Sequence, residues 1–205
     1  MNSVLSHIGN TPLVRLNRIG RDLPAPILVK CEHLNPGGSI KDRIALAIGD
    51  DASARGVLRP GMTLVEATAG KTGVGLALVA AARDYGLVCV MPEKMSTDKR
   101  KALRAMGANV IISRNAPPSS PDNFQQVARR LADEHGWFLT DQFANPANIA
   151  AHEHGTAQEL IDQVSVPADP ARATEPGVPD RRRPSHTLRS GFITVSRQVD
   201  PVAAM

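Results

Sequence analysis

The sequence predicts an α/β fold built on a parallel β-sheet, and three observations support this prediction. Four near-continuous apolar runs alternate with helix-like segments along the chain. Glycines follow the helix-like segments, where a left-handed residue commonly ends a helix. Aromatic residues make up only 3%, whereas small residues such as Gly and Ala are frequent, as close helix–sheet packing requires. Buried strands that alternate with helices are typical of right-handed βαβ units.

Length and composition limit the possible classes of protein. The 205 residues suffice for one core, or for one domain and a tail, and the formal charge of +4 is mild. The N-terminus does not resemble a secretory signal, and no apolar stretch approaches eighteen residues, so we expect a cytoplasmic protein that does not bind membranes. Cys31 and Cys89 are far apart and outside any C-x-x-C pattern. We therefore expect small core residues in a reducing compartment, and no metal site.

The first third of the chain is predicted to contain two short strands and a helix. Residues 8–16 combine a turn with a strand, and residues 27–30 form a second strand that is preceded by prolines. Apolar residues from Ile40 to Ile48 recur at helical spacing, which predicts an amphipathic helix over residues 40–55.

A repeated strand–helix module follows this helix. Strands are predicted at residues 62–65, 87–91, 108–112 and 137–139, and helices at residues 72–85, 96–106 and 121–135. We expect a left-handed residue after each helix-like run at Gly56, Gly86, Gly107 and Gly136.

Two sequence signals refine the predicted helices. Ser96 and Ser120 are the expected N-caps of the last two helices, with Pro121 at the first helical position. The helix at residues 72–85 is apolar on all sides, which predicts that it is buried.

The loop over residues 66–73 joins a predicted strand to this buried helix. In parallel sheets, ligands lie beyond the carboxyl ends of the strands. Small residues and a helix N-terminus let backbone N–H groups approach an anion, which suits the carboxylate of an amino-acid substrate. The Gly70-Lys71-Thr72 sequence imitates the end of a P-loop, but that motif requires a glycine where Val65 stands. A third interpretation is a glycine-rich turn that only eases packing.

A second candidate for chemistry is residues 35–43, Asn-Pro-Gly-Gly-Ser-Ile-Lys-Asp-Arg. This turn places Lys41 at the start of a predicted helix. The positive end of a helix favours the neutral, nucleophilic form of an amine. The alternative is that Lys41, Asp42 and Arg43 are solvated charges that open an ordinary helix.

Together, these motifs resemble the pyridoxal-phosphate-dependent β-family, in particular cystathionine β-synthase and cysteine synthase. The resemblance covers residues 2–164 and rests on residues 8–16, 35–43 and 66–73, followed in the same order by residues 91–96, 107–108 and 141–152. It implies the three-layer, parallel-sheet fold type II of the tryptophan synthase β kind. This chain would hold its N-terminal portion, namely the small domain and part of the large domain.

The resemblance also implies roles for individual residues. Lys41 would bind pyridoxal 5'-phosphate covalently and move the substrate's Cα proton. Lys71 stands at a family asparagine that contacts the 3′-oxygen of the cofactor. The residues that would bind the substrate carboxylate are Thr68, Ala69, Gly70, Thr72 and Gln142. The implied reaction is β-replacement on an activated serine by a sulfur nucleophile, which makes cysteine or cystathionine. The resemblance also implies a homodimer, and we expect no binding to nucleic acid.

Three residues depart from the family pattern. Lys71 replaces the asparagine and adds a second positive charge, which disfavours a protonated imine unless a carboxylate neutralises it. Ala69 replaces a serine and removes a hydroxyl from the carboxylate loop. Gly155 replaces a threonine.

The last 41 residues, 165–205, differ from the family in composition. They contain six prolines, the run Arg181-Arg182-Arg183 and one aromatic residue. Such a segment buries too little apolar surface to offset its ordering entropy, so we expect a disordered tail from a frameshift or early stop. The family's G-T-G-G-T phosphate loop and the serine that pairs with the pyridine nitrogen are not found. The alternative to an enzyme is therefore a non-catalytic remnant that binds ligand or partner subunits only.

Overall fold

The structure is a computed structural model that describes residues 3–165. The predicted tail lies outside these residues, apart from Ser165, and so does the run of three arginines. The chain divides into two compact units: residues up to Thr11 with Glu32–Ala157, and Pro12–Cys31 with the chain from Gln158. The division of function between residues 1–164 and 165–205 stays a prediction.

The elements of the described residues follow the predicted alternation. The strands are β1 (Leu13–Arg15), β2 (Leu28–Lys30), β3 (Thr63–Ala67), β4 (Gly86–Pro92), β5 (Asn109–Ser113) and β6 (Phe138–Leu139). The helices are α1 (Lys41–Ala54), α2 (Lys71–Arg83), α3 (Thr97–Ala105), α4 (Phe124–His135), α5 (Pro146–Ala151) and α6 (Ala157–Ser165). Short 3-10 turns occupy Val4–His7 and Glu32–Leu34, and a π-helical turn occupies His152–Thr156.

The first unit is built on a four-stranded sheet in the order β5-β4-β3-β6. All its neighbouring strands are parallel, which confirms the predicted sheet. Val65 of β3 lies opposite Leu139 of β6, and Glu66 lies opposite Cys89 of β4. The carboxyl ends of β3 and β6 are therefore adjacent, and this brings the loop at residues 66–73 beside the segment that follows Leu139.

Side chains of the central strands point alternately into two separate hydrophobic cores, one on each face of the sheet. On one face, Leu64 of β3 joins a cluster with buried residues of α1, α2 and α3. On the other face, Val65 of β3 joins a cluster with Val127, Ala128 and Ala132 of α4. Because side chains alternate along a strand, the sheet forms the middle layer between two helical layers. This arrangement confirms the predicted three-layer α/β fold.

The second unit contains an antiparallel pair of strands, β1 and β2, in which Leu13 lies opposite Lys30. The Lys30 Nζ donates to Glu159 Oε2 at 2.5 Å and to Gln163 Oε1 at 3.0 Å. Lys30 is only 8% exposed, and burying a charge without a partner is unfavourable. These two contacts offset the desolvation of its ammonium group.

The start of α4 differs from the prediction. The N-cap is Asn123, whose Oδ1 accepts from Gln125 N at 2.9 Å, so Ser120 and Pro121 are wrongly assigned as N-cap and first helical residue. The reason is local. Asn123 Nδ2 also donates to Ala116 O, which holds the cap against the preceding loop, and Ser120 N takes part in a turn.

The predicted left-handed glycines are confirmed at Gly56, Gly107 and Gly136, but not at Gly86. Asp84 is the left-handed residue there, with φ of 58°. Gly86 instead opens β4, where a Cβ atom would lie 2.7 Å from Thr63 Oγ1 on β3. Close approach between strands therefore explains this glycine.

The predictions for the helix caps and the burial of α2 are confirmed in part. Ser96 is at the N-cap of α3, although its side chain makes no capping hydrogen bond. Most of α2 is buried, but Ala81 and Ala82 near its end are exposed.

Within residues 3–165 no helix combines the length and apolarity needed to cross a bilayer. The same residues bring no three His, Cys, Asp or Glu side chains together as metal ligands.

Helices α1 and α2 are in contact through Gly75 of α2. A Cβ atom at Gly75 would lie 2.9 Å from Ala45 Cβ and 3.1 Å from both Lys41 O and Asp42 Cα. Only a glycine allows the backbones to approach so closely without displacement. The contact therefore fixes the start of α1, including Lys41, against α2.

We predict that Gly75→Ala destabilises the protein. Overpacking typically costs about 1–3 kcal/mol, and the higher helix propensity of alanine returns at most about 1 kcal/mol. Urea denaturation measures the difference. Gly155→Ala is the matched control, because a Cβ atom at Gly155 would have only Arg43 Nη1 nearby, at 3.8 Å. Equal stability of Gly75→Ala and wild type would contradict the close contact.

Candidate active site

Lys41 is the first residue of α1, as the sequence predicts, and its side chain is half-buried. The preceding turn is closed by a hydrogen bond from Gly38 N to Asn35 O at 2.7 Å, with Gly38 at φ of 74°. Ser39 Oγ accepts from Lys41 N at 3.2 Å and so occupies one N–H group of the first turn. A turn that depends on glycine therefore fixes the backbone of the lysine.

Asp42 stabilises the same turn from the interior. Its carboxylate is fully buried, and Oδ2 accepts from Gly37 N at 2.5 Å. Among the described residues, Oδ1 has no hydrogen-bond partner. A Cβ atom at Gly37 would lie 2.5 Å from that oxygen, so the motif requires glycine here. Burial raises the pKa of Asp42, partly offset by the Gly37 N–H group and the positive charge of Lys71.

A buried ionic cluster anchors the N-terminal motif to α1. Arg43 donates to both oxygens of Glu32, each at 2.8 Å, and Thr11 Oγ1 donates to Glu32 Oε1 at 2.6 Å. Asn35 bridges Gly9 N and the Glu32 backbone. Burial by itself raises the pKa of Glu32, but hydrogen bonds from Arg43 and Thr11 lower it overall. The motifs at residues 8–16 and 35–43 thus meet through residues 9, 11, 32, 35 and 43.

Thr68 organises the loop that precedes α2. Its Oγ1 accepts from Gly70 N at 3.0 Å and from Gly73 N at 3.4 Å. Among the described residues, the N–H groups of Ala69, Lys71 and Thr72 have no hydrogen-bond partner. The loop therefore presents backbone donors at the positive end of a helix, which is the arrangement that an anion requires.

Gln142 lies beside this loop because β6 is next to β3. Thr72 Oγ1 donates to Gln142 Oε1 at 2.5 Å. Gln142 Nε2 donates to Glu66 Oε1 at 2.8 Å and to Ala67 O at 3.0 Å. The structure thus brings Thr68, Thr72 and Gln142 together. Direct contact of Gln142 with a substrate carboxylate stays a prediction.

Glu66 is a buried carboxylate to which the sequence analysis assigned no function. It is 1% exposed, and its Oε2 accepts from Thr140 Oγ1 and from Gln142 N, the latter at 3.3 Å. Burial raises the pKa of Glu66 to about 7, although these hydrogen bonds oppose the shift. The available signal was a carboxylate within an otherwise apolar strand.

Lys71 is exposed, and it extends towards the turn that precedes Lys41. Its Nζ lies 3.8 Å from the position that a Cβ atom at Gly38 would occupy. It also lowers the pKa of Asp42. Asp42 is therefore a carboxylate near enough to interact electrostatically with Lys71, although burial raises the pKa of Asp42 overall.

His152 is a further polar residue near Lys41. Burial lowers the pKa of this half-buried imidazole, and the positive charges of Lys41 and Arg43 lower it further. Its Nδ1 lies 3.0 Å from Thr156 Oγ1, within a π-helical turn. Such turns occur frequently at functional sites. The lowered pKa therefore disfavours a positively charged imidazole beside the lysine.

Comparison with known proteins identifies the family of this chain. Residues 4–173 match the family described as pyridoxal-phosphate dependent enzyme, so the match extends past Val164. The chain belongs to this family. It is 46% identical to cystathionine beta-synthase from Oryctolagus cuniculus and 43% identical to cysteine synthase from Staphylococcus aureus. These alignments cover 78% and 80% of the chain, but 30% and 52% of the respective relatives.

A solved structure shows the same fold. The crystal structure of O-ureido-L-serine synthase superposes with a TM-score of 0.75 at 44% identity, and covers 80% of this chain and 51% of that protein. The chain therefore spans about half the length of such relatives, or less. The predicted family, and with it fold type II, is confirmed.

Pyridoxal phosphate is the cofactor of this family, and the residues present fit its reactive end. The Gly75 contact places the Lys41 backbone against α2, whose N-terminus follows the loop at residues 66–73. Lys41 would hold the cofactor covalently, and Lys71 stands where the family has a donor to its 3′-oxygen.

Glu66 gives the folding stability a predictable pH dependence. Its pKa is above the unfolded value of 4.5, so its contribution is full below pH 4.5 and is lost as pH rises through about 7. A shift of this size corresponds to roughly 3 kcal/mol. We compare the unfolding free energy of wild type with that of Glu66→Gln, which cannot ionise at this position. The stability of wild type relative to the variant should fall by about this amount between about pH 4 and pH 8.

Urea denaturation across this range measures that difference. The subtraction removes the contributions of Asp42 and His152, which both proteins share. A difference that does not change with pH would contradict a buried, titrating Glu66.

The pairing of Lys71 with Asp42 predicts a second pKa change. In Lys71→Asn, which restores the family residue, the pKa of Asp42 should rise because a neighbouring positive charge is lost. Carbon-13 NMR of the Asp42 carboxyl group, followed against pH, measures this rise. Lys99→Asn is the control, because the side chain of Lys99 lies 3.5 Å from the position that a Cβ atom at Gly70 would occupy but is not among the charges that shift the pKa of Asp42. An unchanged Asp42 pKa in Lys71→Asn would exclude the pairing.

Proposed function

We propose that this chain carries the catalytic lysine and the substrate-carboxylate loop of a pyridoxal-phosphate-dependent β-replacement enzyme. The substrate would be an activated serine, and the second substrate a sulfur nucleophile, with cysteine or cystathionine as product. The observation that carries this proposal is the contact at Gly75, where Lys41 O and the α2 backbone approach so closely that only glycine fits. This backbone contact supports the proposal that the start of α1 and the N-terminus of α2 contribute to one site.

Each residue has a defined task in this proposal. The loop from Thr68 to Thr72 holds the carboxylate through the N–H groups of Ala69, Lys71 and Thr72. Lys41, once displaced by the substrate, takes up and returns the proton at the substrate's Cα. When bound, the cofactor supplies an electron sink for the carbanion at that carbon. The positive charge of Lys71 favours the ionised form of Asp42, although burial of Asp42 opposes it.

A second candidate function is ligand binding without turnover. Lys71 favours it, because this residue replaces the family asparagine and places another ammonium group at the turn that precedes Lys41. In either case we propose a homodimer in the cytoplasm, on the basis of the family resemblance. We also retain the proposal that residues 1–164 are the catalytic portion of the chain.

Titration of the purified chain with pyridoxal phosphate tests the proposed function. We expect an absorption band from covalently bound cofactor, which is lost in Lys41→Ala and retained in the matched control Lys99→Ala. L-Serine or an O-acylated serine should then shift the band, and added sulfide or homocysteine should restore it with release of product.

Two outcomes separate the candidates. A band that shifts with amino acid but gives no product would favour binding without turnover. The same band in wild type and Lys41→Ala would overturn the assignment of Lys41.

A further inference from the structure

We propose that Glu66 is a positioning residue for the carboxylate loop, and that it acts through the side-chain amide of Gln142. This inference rests on the proposed function, which assigns the loop at residues 68–72 to the substrate carboxylate. Glu66 lies behind that loop at the carboxyl end of β3, and it is too deeply buried to meet a ligand. Its influence must therefore pass through another residue.

The first step is the orientation of the Gln142 amide. Its Nε2 group has two hydrogens, and both are donated: one to Glu66 Oε1 at 2.8 Å and one to Ala67 O at 3.0 Å. In the flipped orientation, the amide oxygen would face two acceptors and no donor. Glu66 and the Ala67 carbonyl therefore select one of the two orientations, at a site where an unpaired polar group is costly.

The second step transmits this orientation to α2. With Nε2 directed inwards, Gln142 Oε1 faces Thr72 and accepts its hydroxyl hydrogen at 2.5 Å. Thr72 belongs to the first turn of α2, whose free N–H groups are the proposed donors to the carboxylate. Because its one hydroxyl hydrogen is committed, the side chain of Thr72 is fixed together with the backbone donor beside it.

Packing by itself does not account for a carboxylate at this position. Glu66 shares a face of β3 with Leu64, where the neighbours form an apolar cluster. A carboxylate there is disfavoured by desolvation. The Thr140 hydroxyl does not need Glu66 as a hydrogen-bond acceptor, because it also lies 3.1 Å from Val65 O. The groups that depend on Glu66 are the amide and backbone N–H of Gln142, and through them the loop.

The first test compares variants of the full chain by NMR of the Gln142 side-chain amide. Glu66→Met keeps the length of the side chain and removes both acceptors, whereas Glu66→Gln keeps one carbonyl oxygen. We expect the amide hydrogens to be protected from solvent exchange in wild type and Glu66→Gln, and exposed in Glu66→Met. Thr140→Val is the matched control. It removes the hydroxyl group that donates to Glu66 Oε2 and should leave the Gln142 amide protected.

The second test measures the affinity of L-serine for the same variants, with thermal denaturation as a record of stability. We expect binding about tenfold weaker in Glu66→Met, as for the loss of one strong hydrogen bond, and little change in Glu66→Gln or Thr140→Val. Ethanolamine, which lacks the carboxylate, should distinguish none of the variants. Thr140→Val shows whether destabilisation alone weakens binding.

The outcomes separate this inference from the proposed function. Wild type that does not bind L-serine would overturn the proposed function, while the amide protection still decides whether Glu66 positions Gln142. Protection that persists in Glu66→Met, or equal loss of affinity in Thr140→Val, would overturn the positioning role. Should Glu66→Met not fold, Glu66→Gln decides, since loss of amide protection in that variant contradicts the proposal.

Discussion

The close approach of α1 to α2 at Gly75 is the constraint on which the site depends. Lys41 begins α1, which precedes β3, whereas the loop at residues 66–73 lies between β3 and α2, so that the two are separated in the sequence by a whole helix. A side chain at Gly75 would meet Ala45 Cβ at 2.9 Å, and the Lys41 carbonyl is among its next neighbours. The two helices pack so closely here that their backbones are in direct contact. The position of the Lys41 backbone is therefore decided by a residue that has no chemistry of its own.

Around this contact, the protein compensates its buried charges in pairs. Asp42 is neutralised in part by Lys71, and Glu32 accepts a two-point contact from Arg43. A buried charge without a partner would be disfavoured by several kcal/mol, on the order of the whole stability of a domain. Lys71 is exposed to solvent, so its charge does not need a buried partner.

Periodicity predicted the sheet well because the central strands β3 and β4 are buried along almost their whole length, and because left-handed glycines follow α1, α3 and α4. It failed where tertiary contacts outweigh local signals. Asn123 replaces Ser120 as a cap because its side chain also bonds the Ala116 carbonyl. For the site, the sequence predicted roles for Lys41 and for the loop at residues 66–73 because both contain glycine-rich motifs. It gave no role to Glu66, because Thr140 and Gln142 reach that carboxylate only through the pairing of β3 with β6.

The network around Glu66 satisfies either protonation state of this carboxyl group. When Glu66 is ionised, Thr140 donates its hydroxyl hydrogen to Oε2, and Val65 O still accepts from Thr140 N at 3.1 Å. When Glu66 is protonated, it can donate to the Thr140 hydroxyl, which then donates to Val65 O. Glu66 Oε1 accepts from Gln142 Nε2 in both states. The orientation of Gln142 is therefore independent of the ionisation that changes the stability, so a pKa near neutrality is compatible with a fixed substrate loop.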